Sequence, residues 1–461
     1  MSAAGASDWL PHAIGYVADW LGFQMRVSDL PGSVLAVAHH GKLTYERAFG
    51  VADIGTGEAL TPRHRFRVAS HSKTFTCVGV MRLRDQRRLR LDDPVGMHVP
   101  GLHEGIAGVT VAQLLAHSGG VIRDGVDAGH WLERQPFLDA AGLDAELARP
   151  LALAPNERFK YSNIGFGLLG KLIASVTGEP YNSWIAREVV AAAGLAETAP
   201  DMPFEGGPLA RGHGLKLPLG RRPVFDGETP THALAAATGF VSTAADLARF
   251  FGQLSPGASQ SVLSPESRRE MSRRQWRTPH AVQERYYGLG TMSGEVEQRA
   301  WFGHMGVFPG YTTRTAVAPE WELAVSIVTN ANDGLANQWI DGALHIMNAF
   351  ALNGAPAPAV ADWTGRWWTH WGALDLVPMG GKVVAAVPAS LTPLADASEI
   401  SVTDRMLGRI AVANGYGNYG EAARRVADAS GEVTTVWFGG LQLAREADLA
   451  AELAQRHPPA G

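Results

Sequence analysis

The chain has 461 residues, 46% of them hydrophobic and 18% charged, and a formal net charge of −5. Those values suit a soluble globular protein of two or three domains with ample core, needing neither disulfide nor metal to hold it together. The acidic balance argues against a nucleic-acid partner, and the lack of any apolar run of about 18 residues argues against a membrane-spanning helix.

Met1–Ser7 carries no basic residue and no apolar core follows it, so the sequence gives no sign of a secretory leader and the expected location is cytoplasmic. Leu10, Ile14, Val17 and Leu21 recur at helical spacing and predict an opening amphipathic helix. Ser33–Ala38 and Leu43–Phe49 are short apolar runs around His40-Gly41-Lys42, which reads as a β-hairpin. Lys73–Leu83 is apolar on nearly every side and predicts a helix buried within its domain. The one cysteine, Cys77, lies in that run and reads as a small buried hydrophobe. The basic stretch Arg82–Arg90 is interrupted by Asp85 and followed by Asp92-Asp93, as in a solvated helix end.

Thr110–Leu115 and Gly165–Val176 are further helix candidates, and Thr243-Ala244-Ala245-Asp246 reads as a capping box. After Tyr286 the pattern turns to strands, with Thr312–Ala318 and Leu323–Thr329 joined by the turn Pro319-Glu320-Trp321-Glu322. Trp339–Leu352 predicts a closing helix. Residues 1–352 are therefore expected to form one α/β domain, a sheet with helices on its faces. Residues 353–360 are a Pro/Ala linker. Residues 361–461, with Trp363, Trp367, Trp368 and Trp371 near their start, predict a small antiparallel β-barrel domain ending in a helix over Ala444–Gln455.

Three short strings carry chemistry. In Ser70-His71-Ser72-Lys73, the lysine lies one helical turn from the serine, on the same face. Apolar Phe75, Val78 and Met81 would desolvate it, lowering its pKa so that it serves as a base for the serine hydroxyl. A serine at a helix N-terminus also has backbone N–H groups and the helix dipole on its side when an oxyanion forms. In Tyr161-Ser162-Asn163, a tyrosine near an ammonium is expected to ionise below its ordinary value of about 10. The asparagine would hold the lysine or a substrate carbonyl. In His304-Met305-Gly306, the glycine lets a strand edge approach a substrate, and the next residue, Val307, can offer its N–H to an oxyanion.

Other strings have blander readings. His103-Glu104-Gly105 and His117-Ser118-Gly119 also fit His-x-Gly, and Tyr416-Gly417-Asn418 also fits Tyr-x-Asn. Gly415–Gly420 fits a dinucleotide fingerprint but sits in the β-rich tail with no apolar helix after it. The histidines do not fall at metal-ligand spacing with carboxylates or cysteine, so neither metal nor cofactor is expected.

Taken in order, Ser70-x-x-Lys73, Tyr161-x-Asn163 and His304-x-Gly306 resemble the three-motif signature of the serine β-lactamase and penicillin-binding protein superfamily. The runs Leu114–Gly120, Tyr286–Gly290 and Gly239–Leu247 match as well, and the resemblance covers roughly residues 10 to 350. His304 stands where many β-lactamases have a lysine. That is similar to the S12-type branch holding D-aminopeptidases, D-Ala-D-Ala carboxypeptidase-like peptidases and esterases. The tail with Trp363-Thr364-Gly365-Arg366-Trp367-Trp368 is similar to lipocalin-like barrels appended to some of these peptidases and to peptide cyclases.

The resemblance implies a β-lactamase-like domain: an antiparallel sheet flanked by helices, with an all-helical subdomain inserted. It also implies Ser70 as nucleophile, Lys73 and Tyr161 exchanging its proton, and an oxyanion hole at the N–H groups of Ser70 and Val307. Asn163 and His304 would orient the substrate, beside Gly306. The expected activity is acyl-enzyme hydrolysis of an amide bond in a small peptide or D-amino-acid derivative. A carboxylesterase, an acyl transferase or peptide cyclase, and a catalytically silent penicillin-recognising protein remain open alternatives.

Overall fold

A computed structural model describes residues 8–279, 283–414 and 417–458. Gly415 and Tyr416 of the glycine-rich string lie outside the described residues, as does Met1–Ser7, on which the leader reading rested. By contact density the chain divides into two compact units, Leu30–Ile340 and a second made of both ends, Met1–Asp29 with Asp341–Gly461. Among the described residues no helix is long and apolar enough to cross a membrane.

The chain opens on helix α1 (Leu10–Ser28), which belongs to the second unit. The first unit begins with the expected hairpin, β1 (Gly32–His39) and β2 (Lys42–Asp53), then a short β3 (Glu58–Ala59). His40 and Gly41 both have positive φ, 50° and 74°, the pairing that a tight two-residue turn needs to match the strand twist. Three helices matter to the site: α2 (His71–Asp85), α3 (Asn163–Thr177) and α4 (Ala244–Gln253). The later strands are β4 (Trp276–Arg277), β5 (Arg285–Tyr287), β6 (Met292–Val296), β7 (Arg299–Phe308), β8 (Tyr311–Ala318) and β9 (Leu323–Thr329). Helix α5 (Ala336–Asn353) follows.

Among the described residues these strands form a nine-stranded antiparallel sheet in the order β3-β2-β1-β9-β8-β7-β6-β5-β4. The N-terminal hairpin therefore lies against the last strand, Ser33 opposite Thr329 and His39 opposite Leu323. Strands β8 and β9 are buried along their whole length and β1 along nearly all of it, because both faces of the sheet are covered there. Covered faces explain why these segments read as continuous apolar runs rather than as alternation. The later run of strands in this sheet begins at Trp276, before the expected Tyr286, since the short edge pair β4 and β5 carries arginines and no apolar run.

Helix α2 is buried from His71 through Met81 and again at Leu83, as the apolar run predicts. Cys77 is buried with it, and burial pushes its thiol above the ordinary range. The capping box at Thr243 is half-formed. Thr243 accepts from the Asp246 N–H, but the Asp246 carboxylate turns away to accept from the Glu197 N–H at 2.9 Å and the Thr198 hydroxyl at 3.0 Å. A complete box closes instead at Thr110 and Gln113.

In the second unit, eight strands close into a barrel: Gly365–Thr369, Gly372–Met379, Lys382–Ala386, Ser398–Val402, Leu407–Val412, Ala422–Ala427, Val433–Phe438 and Leu441–Ala444. Trp363, Trp367, Leu376, Val383, Ile400 and Val436 form its buried core. Helix α1 is tied to the same unit. Trp20 Nε1 donates to the Ser390 carbonyl at 3.0 Å and Gln24 Nε2 to the Pro388 carbonyl at 2.7 Å. The final helix, Glu446–Arg456, starts just after the last strand.

Candidate active site

Ser70 stands at the N-cap position of α2, and its position is set by a tight turn. Phe66–Arg67 pairs with Val241–Ser242, and the Val68 N–H continues that ladder to the Phe240 carbonyl at 3.0 Å. Ala69 then adopts φ 46°, a left-handed conformation that costs a non-glycine residue of order 1–3 kcal/mol. Its carbonyl is held by both the N–H and the hydroxyl of Ser72, and Ser72 Oγ in turn accepts from the Phe240 N–H. This clamp turns the chain sharply from strand to helix at Ser70.

The Ser70 hydroxyl oxygen lies between two groups. Tyr161 Oη donates to it at 2.7 Å, and Lys73 Nζ sits 3.2 Å away. Lys73 is fully buried, and its nitrogen has two further neighbours, Asn163 Oδ1 at 2.7 Å and the Ala237 carbonyl at 2.8 Å. Both can only accept, so two amine hydrogens go to them. A neutral amine then has its lone pair facing the serine hydroxyl. Burial drives the Lys73 pKa well below its ordinary value, opposed by the negative charge of Asp124. The Ala237 carbonyl is presented by a π-helical turn over Ala235–Gly239, a distortion common at functional sites.

Tyr161 departs from the sequence expectation. Burial raises its pKa above the ordinary value instead of lowering it, outweighing its hydrogen bond to Ser70 and the nearby Arg123 charge. The phenol is therefore a proton donor in this site. Lys73 Nζ stands 4.7 Å from its ring centre. His117 packs against it as well, ring centres 4.2 Å apart, and its Nδ1 accepts from the Ser162 N–H at 3.1 Å.

Asn163 opens helix α3, with Ser162 as the cap accepting from the Gly165 N–H. Its amide bridges two groups: Oδ1 faces Lys73, and Nδ2 donates to the Asp124 carboxylate. Asp124 also accepts from Trp131 Nε1 at 3.0 Å and pairs with Arg123 Nε at 2.9 Å.

His304 lies on β7, buried, with Nε2 2.9 Å from the Tyr287 hydroxyl and Nδ1 2.7 Å from the Met305 carbonyl. Burial holds its pKa well below the ordinary value, so the ring is neutral. Both nitrogens are thus engaged within the wall of the site. Beyond Gly303, β7 has left β6 behind, since their pairing runs only from Met292–Gly303 to Val296–Arg299. Met305 turns its N–H and carbonyl to the His304 ring, and by the two-residue strand alternation Val307 faces the same open edge. Val307 is 55% exposed. Gly306 allows β7 to close on the turn before Ser70, because a Cβ there would lie 2.1 Å from the Val68 carbonyl oxygen.

Ser70, Lys73, Tyr161 and Asn163 are thus joined by direct contacts, and Gly306 sets the strand edge carrying Val307 against the Ser70 turn. A family model described as Beta-lactamase matches residues 23–345. The chain belongs to the β-lactamase family. Among curated relatives of this β-lactamase-family chain, Protein flp of Staphylococcus aureus (strain NCTC 8325 / PS 47) is 28% identical over 170 residues. That match takes in 35% of this chain and 34% of that protein, so the chain spans only a third of the length of that relative. Esterase EstB of Burkholderia gladioli is 27% identical over 293 residues, 54% of this chain and 72% of that one. Among solved structures, a D-stereospecific amidohydrolase from Streptomyces sp. superposes with a TM-score of 0.60 at 25% identity, covering 70% of this chain and 96% of that chain.

Sequence reasoning did not find four contributors to the site. In sequence, His117 is one of several His-x-Gly strings, although it sits in one of the flanking runs. Asp124 follows that run in a glycine-rich loop, Gly119 to Gly125, where a lone acid at a turn attracts no notice. The Ala237 carbonyl depends on a π-turn that no side chain announces. Tyr287 was part of a matching run but had no assigned role.

Proposed function

We propose that the protein is a serine hydrolase working through an acyl-enzyme on Ser70, with an amide bond in a small peptide or D-amino-acid derivative as its substrate. The observation that carries this reading is the coordination of Lys73 Nζ: two acceptor-only oxygens take its hydrogens, and its third neighbour is the Ser70 hydroxyl. That is the arrangement of a base poised on its nucleophile.

Ser70 Oγ attacks the substrate carbonyl carbon while its proton passes to Lys73 Nζ. The oxyanion forms against the N–H groups of Ser70 and Val307, aided by the N-terminus of α2. Tyr161 Oη gives its proton to the leaving amine as the C–N bond breaks, and Lys73 restores it. Water then attacks the ester in the reverse sense, its proton leaving through the same pair. Because Lys73 and Tyr161 share one proton inventory, they titrate as a unit. His304 and Asn163 shape the wall against which the substrate lies.

A carboxylesterase is the second reading, favoured by the likeness to Esterase EstB across most of that protein's length. Ester cleavage asks less of the Tyr161 proton, since an alkoxide leaves more readily than an amide nitrogen. The test has two arms. A fluorophosphonate probe is expected to add mass at Ser70, and the Ser70→Ala protein to lose both labelling and turnover; full turnover in that variant overturns the mechanism. Comparing kcat/KM for D-alanyl amides and short nitrophenyl esters separates amidase from esterase.

A further inference from the structure

The chain of contacts at Lys73 does not stop at Asn163. Behind that residue stands Asp124, its carboxylate surrounded by three donors: Asn163 Nδ2, Trp131 Nε1 and Arg123 Nε. The Asp124 side chain is 12% exposed, and that of Arg123, its lid on the solvent side, is 64% exposed. Arg123 also holds the start of helix α3 by its main chain. The Arg123 carbonyl accepts from the N–H groups of Asn163, at 2.8 Å, and Ile164, at 3.1 Å. Segment 123–124 therefore fixes both the backbone and the side chain of Asn163.

An asparagine amide has an acceptor end and a donor end of nearly the same shape, and nothing in its own geometry says which way round it sits. At Asn163 the surroundings decide. An ionised carboxylate offers only acceptors, so the NH₂ end must turn to Asp124. The carbonyl end must then turn to Lys73. Rotated by half a turn, the amide would set NH₂ against the lysine nitrogen and its oxygen against the carboxylate.

Resting on the acyl-enzyme reading of Ser70, we infer that Asp124 is a positioning residue of that reaction: by dictating which end of the Asn163 amide faces Lys73, it keeps the Lys73 lone pair directed at Ser70. It touches neither the nucleophile nor the reacting carbonyl, and acts through Asn163. Its charge also bears on the proton traffic. Asp124 raises the proton affinity of Lys73 and Arg123 lowers it; the other titratable groups around Lys73 are Tyr161, His117 and His304. Removing the Asp124 charge leaves burial and Arg123 unopposed.

The experiment uses the full chain and four variants: Asp124→Asn, Asp124→Glu, Asn163→Ala and the Asp124→Asn/Asn163→Ala double. Asp124→Asn keeps shape and hydrogen bonding but accepts either end of Asn163. Its kcat is expected to fall by at least about tenfold with KM little changed, and fluorophosphonate labelling of Ser70 to slow in proportion. The acid limb of kcat/KM is expected to move down by about one pH unit, the size of effect a single nearby charge has on an amine. Asp124→Glu restores part of the rate. In the Asn163→Ala background, Asp124→Asn costs little more, the signature of two residues acting through one contact.

Three results would overturn the inference. They are an Asp124→Asn protein with wild-type rate and pH profile, a full additional loss in the double variant, or a rate loss that Asp124→Glu does not recover while the melting temperature falls in step. If the wild-type chain itself neither labels at Ser70 nor turns over substrate, it is the hydrolase reading that fails, and the variants are then compared for nothing. The two failures are thus told apart by the wild-type arm alone.

Discussion

The Tyr161 hydroxyl donates to Ser70 Oγ across 2.7 Å, and burial holds its proton more tightly than in a free phenol. A donor so placed is suited to protonating a leaving group. Tyr161→Phe is expected to lower kcat for amides by about 10²–10⁴-fold, the usual worth of a positioned acid. Esters with good leaving groups should suffer much less. Steady-state kinetics on a matched amide and ester pair reads the difference directly, and equal losses on both would contradict the assigned role.

Lys73 is the other half of the pair. Lys73→Met removes the base while filling the space, so it should abolish turnover about as fully as Ser70→Ala, because the residues act as a unit. Lys73→Arg should not rescue it. A guanidinium stays protonated at any accessible pH and has no lone pair for the serine proton. Burst-phase kinetics with an activated ester would check both, with the acylation burst missing in each variant.

Gly306 is where the strand edge meets the nucleophile turn. A Cβ would stand 2.1 Å from the Val68 carbonyl oxygen and 2.8 Å from Thr313 Oγ1. Gly306→Ala must therefore push β7 away from that turn. Overpacking of this kind costs about 1–3 kcal/mol, visible as a lower denaturant midpoint. The Val307 N–H moves with the strand, so kcat should fall by about 10²-fold, more than stability alone explains.

The buried histidine beneath the nucleophile makes stability depend on pH. His71 is fully buried, and its pKa is lowered to about 4 by loss of solvation. Its Nδ1 lies 3.0 Å from the Val68 carbonyl and its Nε2 3.1 Å from the Thr315 hydroxyl. Between the unfolded value, about 6.5, and that folded value the unfolded chain binds the extra proton. Its contribution, about 3 kcal/mol, is thus complete above pH 6.5 and lost as the pH falls toward 4. His117 and His304 are shifted in the same direction, again chiefly by burial. Urea midpoints from pH 7 down to pH 5 should fall steadily, and His71→Asn should flatten part of that slope.

Elements that owe their form to one local pattern were legible in the sequence. The hairpin at His40-Gly41, the apolar helix after Ser70 and the paired strands β8 and β9 all follow from turn chemistry and burial. That Ser70, Lys73, Tyr161 and Asn163 come together was legible as well, because their motifs hold fixed local spacing. What escaped depends on contacts between segments far apart in sequence. Asp124 matters because the loop after Gly120 folds back onto helix α3. His117 matters because its ring lands on Tyr161, 44 positions later in the chain. Tyr161 also shows how a local rule can mislead: a neighbouring amine suggested a lowered pKa, but full burial outweighs it.

The chain's two ends share one compact unit, and residues Leu30–Ile340 run between them. No single break in the backbone can release either unit whole. Cutting after Pro356 removes the barrel but leaves helix α1 attached to the hydrolase portion, with Trp20 Nε1 and Gln24 Nε2 deprived of the carbonyls of Ser390 and Pro388. A shortened protein that clumps would then report a helix stripped of those two bonds as much as a missing barrel. An informative deletion takes both ends at once, and an evolutionary loss of the barrel would face the same double excision.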